Sequence, residues 1–288
     1  MSGPVLCLIV GAAKSGTTWL WHQLRDHPEV HFRAIKELHL FDALARGKLD
    51  AEIRRHADRR AALARALERR WSAAPERLAE IHDRTEWLSV LERGGDTAAY
   101  VSYLEDGVGG RRVVGEATPA YSLLPEDEIA RLPFLARDVR IIYLLRDPVD
   151  RLWSHVRMIA EARAKGGDLR EAADRVMKRV LNGKETEIVA RSDYAAALEK
   201  LTRAVPPDRL CLLIHEEIEG GSMLARAQEF LGLSPRAPVE RRVNQGPELS
   251  IMPVQRDRAR EWLEPQYRAV QRFLHHVPPS WDRRVTSD

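Results

Sequence analysis

Residues 5–18 constrain the fold more than any other stretch. Val5-Leu6-Cys7-Leu8-Ile9-Val10 is a continuous apolar run of strand length that ends in Gly11-Ala12-Ala13-Lys14-Ser15-Gly16-Thr17-Thr18. An unbroken apolar strand suits a parallel sheet covered on both faces. The next segment, Thr17 to His27, carries Leu20 and Leu24 at i, i+4 spacing beside Trp21 and is stopped by His27-Pro28, so it reads as a helix. A strand turning directly into a helix aims backbone N–H groups and the positive end of the helix dipole at one point, where an anion is held. Gly11 and Gly16 permit the tight path, and Lys14 can neutralise phosphate charge. Lys14, Ser15, Gly16, Thr17 and Thr18 are therefore candidate contacts to a nucleotide phosphate.

Further apolar strands read at Arg112 to Gly115, Val139 to Leu145 and Leu210 to Ile214, separated by helical stretches. That alternation predicts a single α/β domain over residues 1–288, with a central parallel sheet flanked by helices. With 288 residues and 44% hydrophobic content, the chain can bury one large core. Ala43 to Gly110 is Arg/Ala-rich and poor in strand formers, which predicts a helical insertion and a candidate lid on the acceptor side. Its arginines, among them Arg54, Arg55, Arg59 and Arg60, are balanced by Glu52, Asp58 and Glu68 and read as a solvated helix face. The closing stretch Arg256 to Leu274 reads as a scaffold helix, and the tail from Ser280 as loosely held.

Composition narrows the partners. A net charge of +3 gives none of the bulk electrostatics of a dedicated nucleic-acid binder. No apolar stretch approaches the ~20 residues of a membrane span, so a soluble, unanchored protein of the cytoplasm is expected. Cys7 and Cys211 each sit in an apolar strand and read as inert core residues, and no Cys/His spacing suggests a metal site.

Two further segments carry candidate chemistry. Arg140 to Leu145 runs as a strand into Arg146-Asp147-Pro148, with Pro148 suited to the first turn of a helix bearing Arg151 and Ser154. Arg146 can grip a phosphate bidentately, and Ser154 can add a bond. Lys36-Glu37-Leu38-His39-Leu40-Phe41-Asp42 follows the strand-like Val30-His31-Phe32 and returns a carboxylate toward the sheet edge, where it can take a proton from an attacking hydroxyl or amine. The first loop is close to a Walker A sequence, but its lysine precedes the second glycine, which weakens a reading as an ATP-and-magnesium kinase. A non-catalytic nucleotide- or nucleic-acid-binding protein is a further alternative, using the Arg-rich insertion.

Gly-Ala-Ala-Lys-Ser-Gly-Thr-Thr-Trp-Leu resembles the 5'-phosphosulfate loop of sulfotransferases that use 3'-phosphoadenosine-5'-phosphosulfate (PAPS). Arg-Asp-Pro-Val-Asp-Arg-Leu-Trp-Ser resembles their 3'-phosphate motif. The resemblance implies that Lys14 contacts the donor's 5'-phosphate and supports its departure, that Arg146 and Ser154 hold the 3'-phosphate, and that 3'-phosphoadenosine-5'-phosphate (PAP) is the product, with no metal. Lys36 to Asp42 resembles the Lys-Glu-X-His-Phe-Phe-Asp motif of carbohydrate sulfotransferases, departing at Leu40. It implies Glu37 as base, supported by His39, with Asp42 near a small-molecule or carbohydrate acceptor. Gly115 to Tyr121 resembles the family's acceptor-side Glu-Lys-Thr-Pro-Ala-Tyr segment with Ala117 in place of lysine, implying that Glu116 and Tyr121 line the pocket. Arg241 and Arg242 fall where family members close a loop over the donor, and Ser192-Asp193-Tyr194 falls on their Gly-X-Tyr helix.

Overall fold

In the computed structural model, which describes residues 3–69, 74–240, 248–274 and 277–282, the first strand and helix form as their sequence dictates. Strand β1 (Val5–Gly11) passes through the loop into α1 (Thr17–Arg25), followed by β2 (Val30–Phe32). Helices α2 (Leu40–Ala45), α3 (Leu49–Arg69), α4 (Ala74–Glu92) and α5 (Thr97–Glu105) precede β3 (Val113–Ala117). Helix α6 (Glu126–Arg131) leads to β4 (Val139–Leu145), and α7 (Pro148–Ala164), α8 (Leu169–Leu181), α9 (Thr186–Ser192) and α10 (Tyr194–Ala204) lead to β5 (Leu210–Ile214). Helices α11 (Ser222–Leu231) and α12 (Pro253–Phe273) complete the fold.

The five strands form one parallel sheet in the order β2-β3-β1-β4-β5, with β1 at the centre. Both faces are covered, as the uninterrupted apolar strands require. Ile9, Ile142 and Leu144 pack beneath Leu20 and Leu24 of α1 and Leu224 and Leu231 of α11. Leu6, Leu8 and Ile141 pack against Leu152 and Val156 of α7 and Leu198 of α10 on the other face. Strand β3 runs on to Ala117, two residues past its expected end, because it stays in register with β1 as far as Ile9. At Gly115 a Cβ would stand 2.0 Å from the carbonyl oxygen of Cys7, so only glycine fits that register. Cys7 is buried and Cys211 partly so, and burial raises both thiol pKa values, that of Cys211 to about 11.

The insertion is helical. Three of its arginines meet acids of the same or the adjoining helix: Arg55 pairs with Glu52, and Arg59 and Arg84 both reach Glu80. Trp87, Leu91 and Tyr100 carry the insertion into the main core. The expectation of a loose tail from Ser280 is corrected at Trp281, which is buried against Tyr267 while its carbonyl accepts from Arg260 at 2.6 Å. Among the described residues, no helix is long and apolar enough to cross a membrane.

Candidate active site

The loop after β1 and the loop after β4 diverge to opposite faces of the sheet, and between them opens the crevice where open α/β sheets bind ligands. The cavity there, about 1310 Å³, is lined by Lys14, Gly16, Thr17, Thr18, Glu37, Arg146 and Ser154, residues drawn from three distant segments. Gly16 stands at the N-terminus of α1 in the left-handed region, φ 97°, with no side chain capping the helix and no acid in its first turn. The helix end is thus left to attract an anion. A Cβ at Gly16 would lie 2.8 Å from Nδ1 of His215, so glycine also keeps this wall open.

Tyr194 ties the two loops together. Its hydroxyl lies 3.3 Å from Ser15 Oγ, accepts from the Arg146 amide at 3.1 Å and donates to the Arg146 carbonyl at 3.0 Å. Ser15 is thereby buried beneath the loop, its hydroxyl turned toward Tyr194 and away from the cavity. Arg146 donates back to the Lys14 carbonyl at 3.3 Å. The Lys14 ammonium reaches Met158 Sδ at 3.7 Å. Burial, then the nearby charges of Arg157 and Arg146, lower the Lys14 pKa, and burial with Arg146 does the same to Arg157. Such mutual repulsion is relieved by a bound anion.

Glu37 faces this cationic wall from the turn before α2. Its carboxylate accepts from Lys36 at 2.7 Å and lies 3.3 Å from His39 Nε2, while His39 Nδ1 lies 3.0 Å from Asp42. Burial alone would raise the Glu37 pKa, but the bond with His39 and the charge of Lys36 outweigh it and bring it to about 2. For His39, burial works downward, and the bonds to Asp42 and Glu37 override it to about 9. Both ring nitrogens of His39 are engaged with carboxylates, so His39 orients Glu37 and is not free to take a proton itself. Lys14, Glu37 and His39 all hold positive φ, at 72°, 68° and 55°. Non-glycine residues in that region concentrate where surrounding structure holds them for a task.

Glu116 and Tyr121 do not line the cavity, which corrects the reading of them as acceptor contacts. Glu116 is 1% exposed and accepts from Tyr100 and Tyr121 at 2.8 Å, Thr118 at 2.5 Å and the Leu38 amide at 3.2 Å. Burial raises its pKa, partly offset by those bonds. Tyr121 also accepts from the Leu40 amide at 3.1 Å. The pair instead fixes the backbone on both sides of His39. Asp42 is buried behind His39 and likewise stands back from the cavity wall. Arg241 and Arg242 lie outside the described residues. The cavity also includes His155, Arg191 and His215, which sequence reasoning did not single out as site residues. Burial, aided by neighbouring arginines, holds both histidines neutral, at about 3 and about 4. The signal for His155 was its adjacency to Ser154, but nothing local shows which helix face meets a cavity.

The crevice at the carboxyl edge of this parallel sheet is thus walled on one side by cations. Residues 7–235 match the model of the sulfotransferase family, and the chain belongs to that family. No curated protein sequence matches it significantly. Among solved structures it is similar to a sulfotransferase from Alicyclobacillus acidocaldarius, at 20% identity and TM-score 0.65, covering 98% of this chain and 100% of that one. It is also similar to the sulfotransferase domain of the olefin synthase of Synechococcus PCC 7002, at 17% identity and TM-score 0.54, covering 96% and 98%. At these identities the likeness is one of fold.

Proposed function

We propose that the protein transfers a sulfuryl group from PAPS to a hydroxyl or amine of a small-molecule or carbohydrate acceptor. The observation that carries this reading is the convergence, on one cavity, of two separate anion grips and a carboxylate. Lys14 with the uncapped start of α1 is one grip, Arg146 with Ser154 is the other, and Glu37 is the carboxylate. A donor carrying phosphate at both its 5' and 3' positions matches two grips better than a linear triphosphate does. The residues fit such a donor on their own chemistry, since neither Lys14 nor Arg146 forms an ion pair among the described residues.

Bound PAPS supplies an activated sulfuryl group on a phosphate leaving group. Glu37 accepts the acceptor's proton as the acceptor atom bonds to sulfur and the bond from sulfur to the 5'-phosphate oxygen breaks. Lys14 stabilises the electron pair left on that oxygen, and the products are sulfated acceptor and PAP. A carboxylate held at about 2 is always ionised near neutrality but is a weak base. That suits a loose transition state, by analogy with phosphoryl transfer, in which the proton leaves late. The helical insertion meets the site at Glu37, whose carbonyl accepts from Arg55 at 3.4 Å, and we place the acceptor on that side, with the insertion as its cover.

Calorimetric titration without metal tests the donor: PAP should bind in the micromolar range or tighter, and ATP far more weakly. Magnesium-dependent preference for ATP would overturn the reading in favour of a kinase. For the base, Glu37→Gln should keep PAP affinity and lose about 10²–10⁴-fold in transfer of labelled sulfate across an acceptor panel. Full turnover by that variant would remove Glu37 from the role.

A further inference from the structure

Directly behind the phosphate loop lies a charge that neither grip uses. Arg151, on the first turns of α7, is 1% exposed, yet no carboxylate forms an ion pair with it among the described residues. Its guanidinium donates to the Ala13 carbonyl at 3.5 Å and to the hydroxyl of Ser192, which itself donates to the Ile188 carbonyl at 2.7 Å. The groups around it are the phenols of Tyr143 and Tyr194 and the cations Arg146 and Arg191. Burial, and then those two arginines, lower its pKa.

A buried ion is tolerated when an opposite charge or coordinating group compensates it. Two neutral oxygens do so incompletely, and two neighbouring cations make the deficit larger. The Ala13 carbonyl that Arg151 holds belongs to the loop that presents Lys14, so the guanidinium is coupled to the ligand site through one peptide. We propose that Arg151 is a buried positioning residue whose charge is balanced across the loop by the ligand, so that phosphate bound on the loop after β1 supplies the opposite charge that the free protein lacks there. This rests on the donor reading above. It gives a physical reason for a cation at a site where an apolar residue of similar volume would stabilise the free protein better. Low dielectric around the guanidinium makes its contribution resistant to salt, unlike that of an exposed lysine.

The test separates charge from shape. Arg151→Gln retains hydrogen-bonding capacity toward Ala13 and Ser192 but removes the charge, and Arg151→Lys retains the charge. PAP and inorganic pyrophosphate are titrated into each protein at low and high salt, and the unfolding midpoint is measured without ligand. The glutamine variant should bind about 10- to 100-fold more weakly, the scale of a charge-assisted bond, with a ligand-free midpoint equal to or above that of the wild type. The lysine variant should stay within about threefold of the wild type, well inside the loss expected for the neutral variant. Unchanged binding by the glutamine variant would overturn the proposal. So would equal losses in both variants, or a glutamine variant that fails to fold while the lysine variant folds, since the charge would then support the free protein. A wild type that binds pyrophosphate but not PAP would defeat the donor reading while leaving the counter-charge measurable on pyrophosphate; binding neither would defeat both.

Discussion

The two walls of the cavity treat charge in opposite ways. On the wall formed by the loops after β1 and β4, Lys14 and Arg146 have no acid within ion-pair distance among the described residues. On the wall that the turn before α2 forms with Glu37, that carboxylate is paired with Lys36 and His39, Asp42 pairs with His39 from behind, and Glu116 anchors the backbone beneath them. Under the proposed function the first wall awaits the charge of a ligand, whereas the charges behind the second are already paired. Binding free energy should therefore come from the cationic wall and chemical competence from the paired one. Substitutions on the two walls should separate affinity from turnover.

The largest effect is expected at Lys14. Lys14→Ala should lower turnover by about 10²–10³-fold, the scale for losing one preorganised group at a developing charge. Steady-state transfer from labelled PAPS would show it, and a loss below tenfold would place the leaving-group charge elsewhere. On the paired wall, Glu116→Ala would leave two tyrosine hydroxyls and the Leu38 amide without their buried partner. It should cost about 2–4 kcal/mol in denaturant unfolding and reduce turnover with little change in PAP affinity at temperatures where the variant stays folded.

The pH dependence is subtler. His39 is held near 9, above its ordinary 6.5, so its stabilising contribution is full below about 6.5 and fades as pH rises through 9. Glu37, held near 2, contributes fully above about 4.5 and loses its contribution as pH falls through 2. Unfolding midpoints should thus show a His39-dependent decline on the alkaline side between about 6.5 and 9, abolished in His39→Asn. A decline of equal size in that variant would assign it to other groups. The smallest effect is reserved for the insertion: Arg59→Ala breaks an exposed pair with Glu80 and should change stability by at most about 0.5 kcal/mol, leaving PAP affinity untouched.

What was readable in advance follows from distance along the chain. The strand, loop and helix at residues 5–25 were legible because the apolar run, the glycines and the helix periodicity are contiguous, and the same holds for Arg146 to Ser154. Glu116 and Tyr121 were misplaced because their partners, Leu38 and Leu40, lie 78 and 81 residues away. A motif singles such residues out without telling whether they face the cavity or the backbone behind it. Arg151 was seen as part of a helix, and its burial without an ion-paired acid among the described residues depends on α9 and the loop after β1 closing over it. No spacing within α7 encodes that enclosure. Of the insertion's arginines, Arg55 meets Glu52, an acid within one helix turn that local sequence offered, whereas Arg59 meets Glu80 on the adjoining helix, which it did not.

The tie made by Tyr194 also has a consequence for how the protein comes into being. Its hydroxyl meets Ser15 across 179 residues of chain, and β4 must already lie beside β1 for Arg146 to join them. A chain emerging from the ribosome thus displays the loop after β1 long before the clamp that shapes it has been synthesised. Contacts of such sequence separation form late and slowly. Nucleotide present during refolding should accordingly leave the early steps unchanged and act on the last one, when the two ends of the clamp meet.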